Sequence, residues 1–234
     1  MSNYKSQIGQ DKYVSEFFNN KRDGYFIELG ATNGITLSNT YYLEKELDWK
    51  GICIEPNPIH TESLRNNRSC NTDTSLVFSE SNKEIEFLIK GLSGLFSGIT
   101  THLDNLEGFS AEKVMKMRTK TLTEVMDEHK APNYIDYLSL DTEGTELDIL
   151  KGIDFKKYIF GYITVEHNLK EPIRSKIREF LYSKGYVFSR WNRFDDDYMH
   201  VTVAQIFAWS NDRTDMTPDA SVISQALSQD VILT

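Results

Sequence analysis

Short apolar runs alternate with amphipathic stretches along the first part of the chain. Residues 25–27 and 52–54 are β-branched, aromatic or otherwise apolar, of the kind that fills a buried strand. Each run is followed by a segment with helical spacing of its apolar side chains, at 38–49 and 57–67. This alternation predicts an α/β protein with a doubly wound, mostly parallel sheet.

The same alternation returns in the second half of the chain. It predicts strands at 134–140 and 158–165, with helices following at 146–151 and 171–184. The C-terminal part predicts an antiparallel hairpin, with strands at 186–190 and 201–209 and an acidic turn at 192–199. The domain is therefore expected to span residues 1–209, with a polar tail at 210–234.

The middle of the chain does not follow this alternation of strands and helices. A third strand is predicted at 76–78, ending on Ser79 and Glu80, and a half-exposed strand at 84–89. Residues 91–108 are rich in Gly, Ser and Thr, and a loop of this length is usually functional or mobile. We expect it to cover a site and to help select a substrate.

The turn after the first strand contains two glycines, Gly30 and Gly34, four residues apart. Glycine has no Cβ, so it adopts positive φ readily and lets a ligand approach the backbone. The spacing is not G-x-G-x-x-G, and no Lys-Ser or Lys-Thr follows, which excludes a phosphate-binding P-loop. On its own the pattern also fits an ordinary strand-to-helix turn.

Acidic residues stand where the predicted strands end. Glu28 and Glu55 end the first two strands, Asp141 follows the fourth, and Glu166 follows the fifth. The carboxyl ends of parallel strands share one edge, so these side chains are expected to meet around one crevice. Glu55 follows Gly34 by 21 residues, the spacing at which a carboxylate accepts hydrogen bonds from ribose hydroxyls.

Composition narrows the class of protein. The net charge of −9 and isoelectric point of about 5.1 disfavour nucleic acid as a partner. With only Cys53 and Cys70, the chain has no disulfide framework, and Cys53 is predicted in the core. No apolar run has membrane-spanning length and the N-terminus is not of signal type, which predicts a soluble, cytoplasmic protein. Oligomeric state is not predicted.

Six segments together resemble the FkbM-type methyltransferases, which use S-adenosylmethionine (SAM). They occur in the expected order and span roughly residues 6–190: SQIGQD (6–11), FIELGATNG (26–34), SNTYYLE (38–44), WKGICIEP (49–56), IDYLSLDTEGTELDIL (135–150) and VEHN (165–168). The D-x-E-G-x-E pattern after the fourth predicted strand is the most distinctive. The resemblance implies a Rossmann-like class I methyltransferase fold with a seven-stranded sheet.

The resemblance also implies SAM as the methyl donor and O-methylation of a hydroxyl on a sugar, glycan or small natural product. It assigns the ribose diol to Glu55 and the adenine to Ser79 and Glu80. Implied cofactor-binding residues are Glu28, Gly30, Ala31, Asn33, Gly34, Asn39, Glu55, Pro56, Ser79, Glu80 and Asp141.

The residues leave two routes open for activating an acceptor hydroxyl. A general base could come from His167, Asp141, Glu166 or Glu143. Alternatively, Asp141, Glu166 and His167 hold a divalent cation that lowers the pKa of the acceptor hydroxyl, and oxygen ligands favour Mg²⁺ or Ca²⁺. A plainer interpretation is that Asp141 only anchors SAM while Glu143 lies at a helix start.

Two other functions are alternatives on the same sequence pattern. A NAD-type oxidoreductase would need a third glycine in the turn, and residues 34–37 contain none after Gly34. A non-catalytic nucleotide- or SAM-binding module on the same fold is the other, and the intact acidic edge argues against it. Trp191 and Phe194, in a polar segment, are candidates for an aromatic wall that stacks on a sugar acceptor.

Overall fold

A computed structural model describes residues 3–90, 97–100 and 111–205. Most of the predicted loop at 91–108, the domain boundary at 209 and the tail at 210–234 lie outside these described residues. The strands are β1 (Tyr25–Leu29), β2 (Lys50–Ile54), β3 (Asn71–Asp73), β4 (Leu76–Val77), β5 (Glu84–Lys90), β6 (Gly98–Ile99), β7 (Ala111–Lys120), β8 (Tyr134–Leu140), β9 (Ile159–Glu166), β10 (Tyr186–Asn192) and β11 (Asp195–His200). The helices are α1 (Gln10–Phe17), α2 (Tyr41–Leu47), α3 (Thr61–Asn67), α4 (Leu122–Glu128), α5 (Glu146–Lys151) and α6 (Ile173–Ser183).

The main sheet has seven strands in the order β10-β11-β9-β8-β1-β2-β3. Neighbours from β9 across to β3 pair in parallel, whereas β11 is antiparallel to both β9 and β10. The predicted fold class, a mostly parallel seven-stranded sheet with an antiparallel hairpin at the C-terminal end, is therefore confirmed. The strand order reverses direction between β1 and β8, and such a switch point is where ligands bind in open α/β sheets.

Helices cover both faces of this sheet, because alternate residues of each buried strand point to opposite sides. On one face Ile27 packs with apolar residues of α4, α5 and α6, and on the other Phe26 packs with residues of α1, α2 and α3. Cys53 is fully buried in the second of these clusters, as predicted. In the segment 57–67 that was predicted to be helical, Ile59 precedes α3 and is 48% exposed, and Leu64 is the buried residue of α3.

A second, four-stranded sheet with the order β4-β7-β5-β6 packs beside the first and was not predicted. Its β4 was interpreted from sequence as the third strand of the main sheet, which is wrong. That place belongs to β3, Asn71–Asp73, which pairs with β2. The segment is short, polar and at the sheet edge, so no apolar run marks it.

The C-terminal hairpin uses different residues from those predicted. β11 comprises Asp195–His200, which the sequence suggested was largely a turn, while residues 201–205 of the predicted last strand are helical. All six residues of β11 are buried, three of them aspartates. Asp196 pairs with two arginines of α6, and Asp197 accepts a hydrogen bond from an arginine of β10. Because aspartate is polar, the pattern of hydrophobic and polar residues predicted an exposed turn here, although these aspartates are buried beside cationic partners.

No helix within the described part of the chain is both long enough and apolar enough to cross a membrane.

A buried arginine ties β1 to α2. The Arg68 side chain is 0% exposed, and its Nη1 and Nε lie 3.1 Å from Glu28 and 2.5 Å from Glu44. Burial raises the pKa of Glu44, but Arg68 and further donors outweigh burial and hold that pKa at about 2. Ser38 and Thr40 also donate hydrogen bonds to Glu28. The cluster fixes where the chain leaves β1 and where α2 begins.

Replacing Arg68 is expected to destabilise the fold strongly. Arg68→Met fills a similar volume but removes the buried cation from Glu28 and leaves Glu44 with Lys45 alone, so we expect a loss of about 3 kcal/mol or more in the free energy of unfolding. Arg22→Met, which removes the exposed partner of Asp48, is the matched control and should change stability by less than about 1 kcal/mol. Urea denaturation measures both, and equal effects would contradict the account.

Candidate active site

A cavity of about 260 Å³ opens at the carboxyl ends of β1, β2, β8 and β9. It lies at the switch point of the main sheet, and the second sheet forms one of its walls. Residues of both sheets and of the N-terminal segment line it: Gln7, Leu29, Gly30, Thr32, Thr36, Leu37, Ile54, Glu55, Pro56, Ser75, Leu76, Val77, Phe87, Ser97, Gly98, Ile99, Asp141, Thr142, Glu143, Thr145, Ile149, Glu166, Asn168 and Phe194.

The glycine turn brings the ends of three strands together. Gly30 has φ +78°, and a Cβ there would lie 1.8 Å from the carbonyl oxygen of Asp141. The amides of Gly30 and Ala31 both donate to the carbonyl of Ile54, at 3.1 and 3.2 Å. Because no side chain fits between β1 and β8, the backbone of this turn forms the floor of the cavity.

Glu55 ends β2 with its carboxylate fixed at the cavity wall. The amides of Thr32 and Asn57 donate to its two oxygens, at 2.9 and 2.8 Å. Burial raises the pKa of Glu55 to about 7, with Asp141 contributing in the same direction and the two amide bonds opposing. Each oxygen keeps a lone pair, so an ionised Glu55 can accept two hydroxyl groups from a diol.

Three carboxyl groups form an acidic cluster that we define as Asp141, Glu143 and Glu166. One oxygen from each lies within 4.8 Å of the others. Burial, followed by the charges of Asp141 and Glu143, raises the pKa of Glu166 to about 10. Burial also raises the pKa of Asp141 to about 6, although its hydrogen bond with Glu166 opposes the rise. Near neutral pH the pair therefore holds one proton, on Glu166, and Asp141 is ionised.

His167 does not line the cavity. Its Nδ1 accepts a hydrogen bond from the amide of Leu169 at 3.0 Å, and its Nε2 lies 3.3 Å from Asp196. The imidazole therefore faces β11, and Glu143 stands in the acidic cluster where the sequence suggested His167. The roles proposed for His167 as base or metal ligand gain no support from this placement.

Of the predicted site residues, the cavity brings together Gly30, Glu55, Pro56, Asp141, Glu143 and Glu166. Others of that set hold the structure around it. Glu28 is occupied by Arg68, and Asn39 donates to Ser139 at 2.9 Å. Asn33 accepts hydrogen bonds from two amides within the turn, beside Ala31 and Gly34. None of these side chains lines the cavity.

Ser79 and Glu80 also lie outside the cavity. The Glu80 side chain is 66% exposed and pairs with Lys83. The misassigned third strand explains their prediction, since the adenine was placed at the end of that strand. The wall at the corresponding side of the cavity is apolar and comes largely from the second sheet, including Leu76, Val77 and Phe87. Assigning β3 correctly would have directed the adenine prediction to the residues that follow β3, Leu76 and Val77.

Taken together, these features define a class I methyltransferase fold. The antiparallel strand β11 lies between β9 and β10 in an otherwise parallel seven-stranded sheet, a glycine turn follows β1, and a carboxylate follows β2. The model of the methyltransferase FkbM domain matches residues 28–188. The chain therefore belongs to the FkbM family of SAM-dependent methyltransferases, as its motifs predicted.

Solved structures with similar folds are distant in sequence. A precorrin-6y C5,15-methyltransferase from Geobacter metallireducens is 10% identical, with TM-score 0.45, covering 81% of this chain and 86% of that one. A SAM-dependent methyltransferase from Aquifex aeolicus is 12% identical, with TM-score 0.40 and coverage of 82% and 89%. A putative RNA methyltransferase from Pyrococcus horikoshii is 11% identical, with TM-score 0.44 and coverage of 82% of both chains. No curated protein matches the chain significantly in sequence.

The cavity residues fit the cofactor that the family implies. Glu55 offers a fixed bidentate acceptor for the ribose diol, and Leu76, Val77 and Phe87 offer an apolar wall for the adenine. The Cβ-free backbone at Gly30 allows close approach beside Asp141.

Glu55→Gln is expected to raise the dissociation constant of S-adenosylhomocysteine at least about 10-fold, because the charge-assisted bonds to the ribose are lost. Binding to the wild type should weaken as pH falls below about 7, where a proton competes for Glu55. The variant should lack that dependence.

Glu80→Gln is the matched control and should bind as wild type does, since Glu80 is outside the cavity. Titration calorimetry between pH 5.5 and 8.5 measures all three proteins. Weakened binding in Glu80→Gln with normal binding in Glu55→Gln would reverse the two assignments.

Proposed function

We propose that this methyltransferase transfers the methyl group of SAM to a hydroxyl oxygen of a neutral acceptor, a sugar, glycan or small natural product. The observation that carries the proposal is the placement of Asp141 and Glu166, which line the cavity with carboxyl oxygens within 4.8 Å of each other. An alcohol must lose its proton to become a good nucleophile, and an ionised carboxylate within reach is a suitable acceptor of that proton.

The charge of the cavity supports a neutral acceptor. Four carboxyl groups line it, Glu55, Asp141, Glu143 and Glu166, and no Lys, Arg or His is present among its described lining residues. An anionic acceptor such as a phosphorylated sugar would add negative charge to a partly buried site that four carboxyl groups already line. A polyhydroxylated neutral molecule would instead find many hydrogen-bond acceptors.

Three side chains of the cavity have separate roles in the proposed methyl transfer. Bound SAM would supply an activated methyl group on a sulfonium, and breaking of the methyl–sulfur bond would release neutral S-adenosylhomocysteine. Asp141, ionised near neutral pH, accepts the proton of the acceptor hydroxyl as the new C–O bond forms. Glu166 keeps its proton and donates a hydrogen bond to Asp141, which limits the negative charge of the cluster before Asp141 is protonated. Asn168 donates to Glu166 at 2.9 Å and fixes the orientation of its carboxyl group.

The experiment is a methyl-transfer assay with SAM and a panel of neutral mono- and disaccharides, phosphorylated sugars and polyphenols. Mass spectrometry then locates the new methyl group. We expect transfer to oxygen of a neutral acceptor. Transfer only to carbon or nitrogen, or no transfer together with preferential binding of NAD over S-adenosylhomocysteine, would contradict the proposal.

Asp141→Asn is expected to lower kcat about 100-fold or more, since it removes the proton acceptor without changing the shape of the side chain. In the wild type, kcat should rise with pH through about 6, because Asp141 must be ionised. Asp48→Asn, at an exposed ion pair, is the control and should leave kcat unchanged. A pH–rate profile of each protein tests whether Asp141 is the base. An active Asp141→Asn variant with the wild-type profile would exclude Asp141 from that role.

A divalent cation held by the acidic cluster is the alternative route to the same product. Such an ion would need the shared proton to leave, so it would bind better as pH rises. If Asp141 acts as the base, we expect full activity in EDTA. Loss of activity in EDTA, with recovery on adding Mg²⁺ or Ca²⁺, would favour the cation instead.

A further inference from the structure

The N-terminal segment Lys5–Ile8 precedes the part of the chain that the family model covers, yet it lies against the cavity. We define it here as the N-terminal strap. Gln7 of the strap lines the cavity, and Ser6 forms a parallel bridge with Leu37, another lining residue. The segment is therefore part of the cavity wall, although nothing in the site described above uses it.

Asp11 fixes one side of the strap. This aspartate is 0% exposed, and it accepts hydrogen bonds from the amides of Lys5 and Ser6 at 2.6 and 3.1 Å. The hydroxyl of Ser6 donates to its other oxygen at 2.5 Å. A buried carboxylate that is satisfied largely by one short segment holds the backbone of that segment in a single conformation.

Gln10 fixes the other side and links the strap to β11. Its Oε1 accepts from the amide of Ile8 at 3.0 Å, while its Nε2 donates to Asp195 at 2.8 Å. Asp195 pairs in register with Glu166 of the acidic cluster. The strap is thereby positioned relative to the acidic cluster by hydrogen bonds on both sides of Gln7.

The side chain of Gln7 is left available by this arrangement. Gln7 is exposed, and within the described parts of the chain its amide makes no hydrogen bond. It lines the same cavity as Phe194 and Asn168. The backbone carbonyl of Phe194 accepts hydrogen bonds from the amides of His167 and Asn168, which ties the chain before β11 to the end of β9 beside Glu166.

We propose that Gln7 is an acceptor-positioning residue, whose amide hydrogen-bonds a hydroxyl of the acceptor next to the one that is methylated. The inference rests on the proposed function and deepens it. A neutral amide offers both a donor and an acceptor, which suits a polyol and adds no charge to the cavity. Placing a vicinal hydroxyl fixes which oxygen faces Asp141.

The test compares wild type, Gln7→Met and the control Gln205→Met, in which the same change is made at an exposed glutamine outside the cavity. Substrates are the best acceptor of the saccharide panel and its monodeoxy analogues. We expect Gln7→Met to raise the acceptor KM about threefold to tenfold. Its kcat and its affinity for S-adenosylhomocysteine should stay within about twofold of wild type. Its thermal midpoint should stay within about one degree of wild type.

The deciding readout is discrimination between acceptors. Wild type should prefer the acceptor over one monodeoxy analogue, and Gln7→Met should lose that preference while keeping the others. Equal discrimination in both proteins, or a parallel loss of S-adenosylhomocysteine affinity, would overturn the inference and leave the proposed function intact. If wild type transfers methyl only to carbon or nitrogen, or transfers none and binds NAD in preference to S-adenosylhomocysteine, the proposed function fails first and this inference fails with it.

Discussion

The site depends on the close approach of β1 to β8. A single methyl group at Gly30 would lie 1.8 Å from the carbonyl oxygen of Asp141, so the two strand ends can meet only if that position is glycine. Their contact sets the floor of the cavity and brings the Asp141 carboxyl group beside Glu166 at the end of the next strand. The unusual titration of the pair follows from this backbone packing, because burial of both groups raises their pKa values.

Buried charge is handled in two different ways in this fold. In the cluster around Arg68, and where Asp196 meets two arginines of α6, each buried carboxylate has a cation and serves to fix elements of structure. In the cavity Asp141 and Glu166 instead lie against each other, and burial raises the pKa values of both. The carboxylates paired with arginine serve to stabilise the fold, whereas Asp141 in the cavity is able to accept a proton from a ligand.

The sequence predicted the fold class and much of the site, for a definite reason. Apolar runs mark buried parallel strands, and the carboxylates at their ends must converge, so Glu55, Asp141 and Glu166 could be brought together without coordinates. The sequence did not predict β3, whose Asn71–Asp73 segment is too short and polar to stand out, or β11, whose aspartates are neutralised by distant arginines. His167 was misplaced because adjacent residues of a strand end point in opposite directions.

The most direct test of the account is a titration of the carboxyl groups by ¹³C NMR, with Asp and Glu side chains labelled in the protein without ligand. The account predicts one aspartate titrating near pH 6 and one glutamate that stays protonated well above pH 8, with both signals lost or shifted in Asp141→Asn. If the signals that change in Asp141→Asn were instead both fully ionised by pH 5.5, the shared proton would not exist and the proposed chemistry at Asp141 would be contradicted.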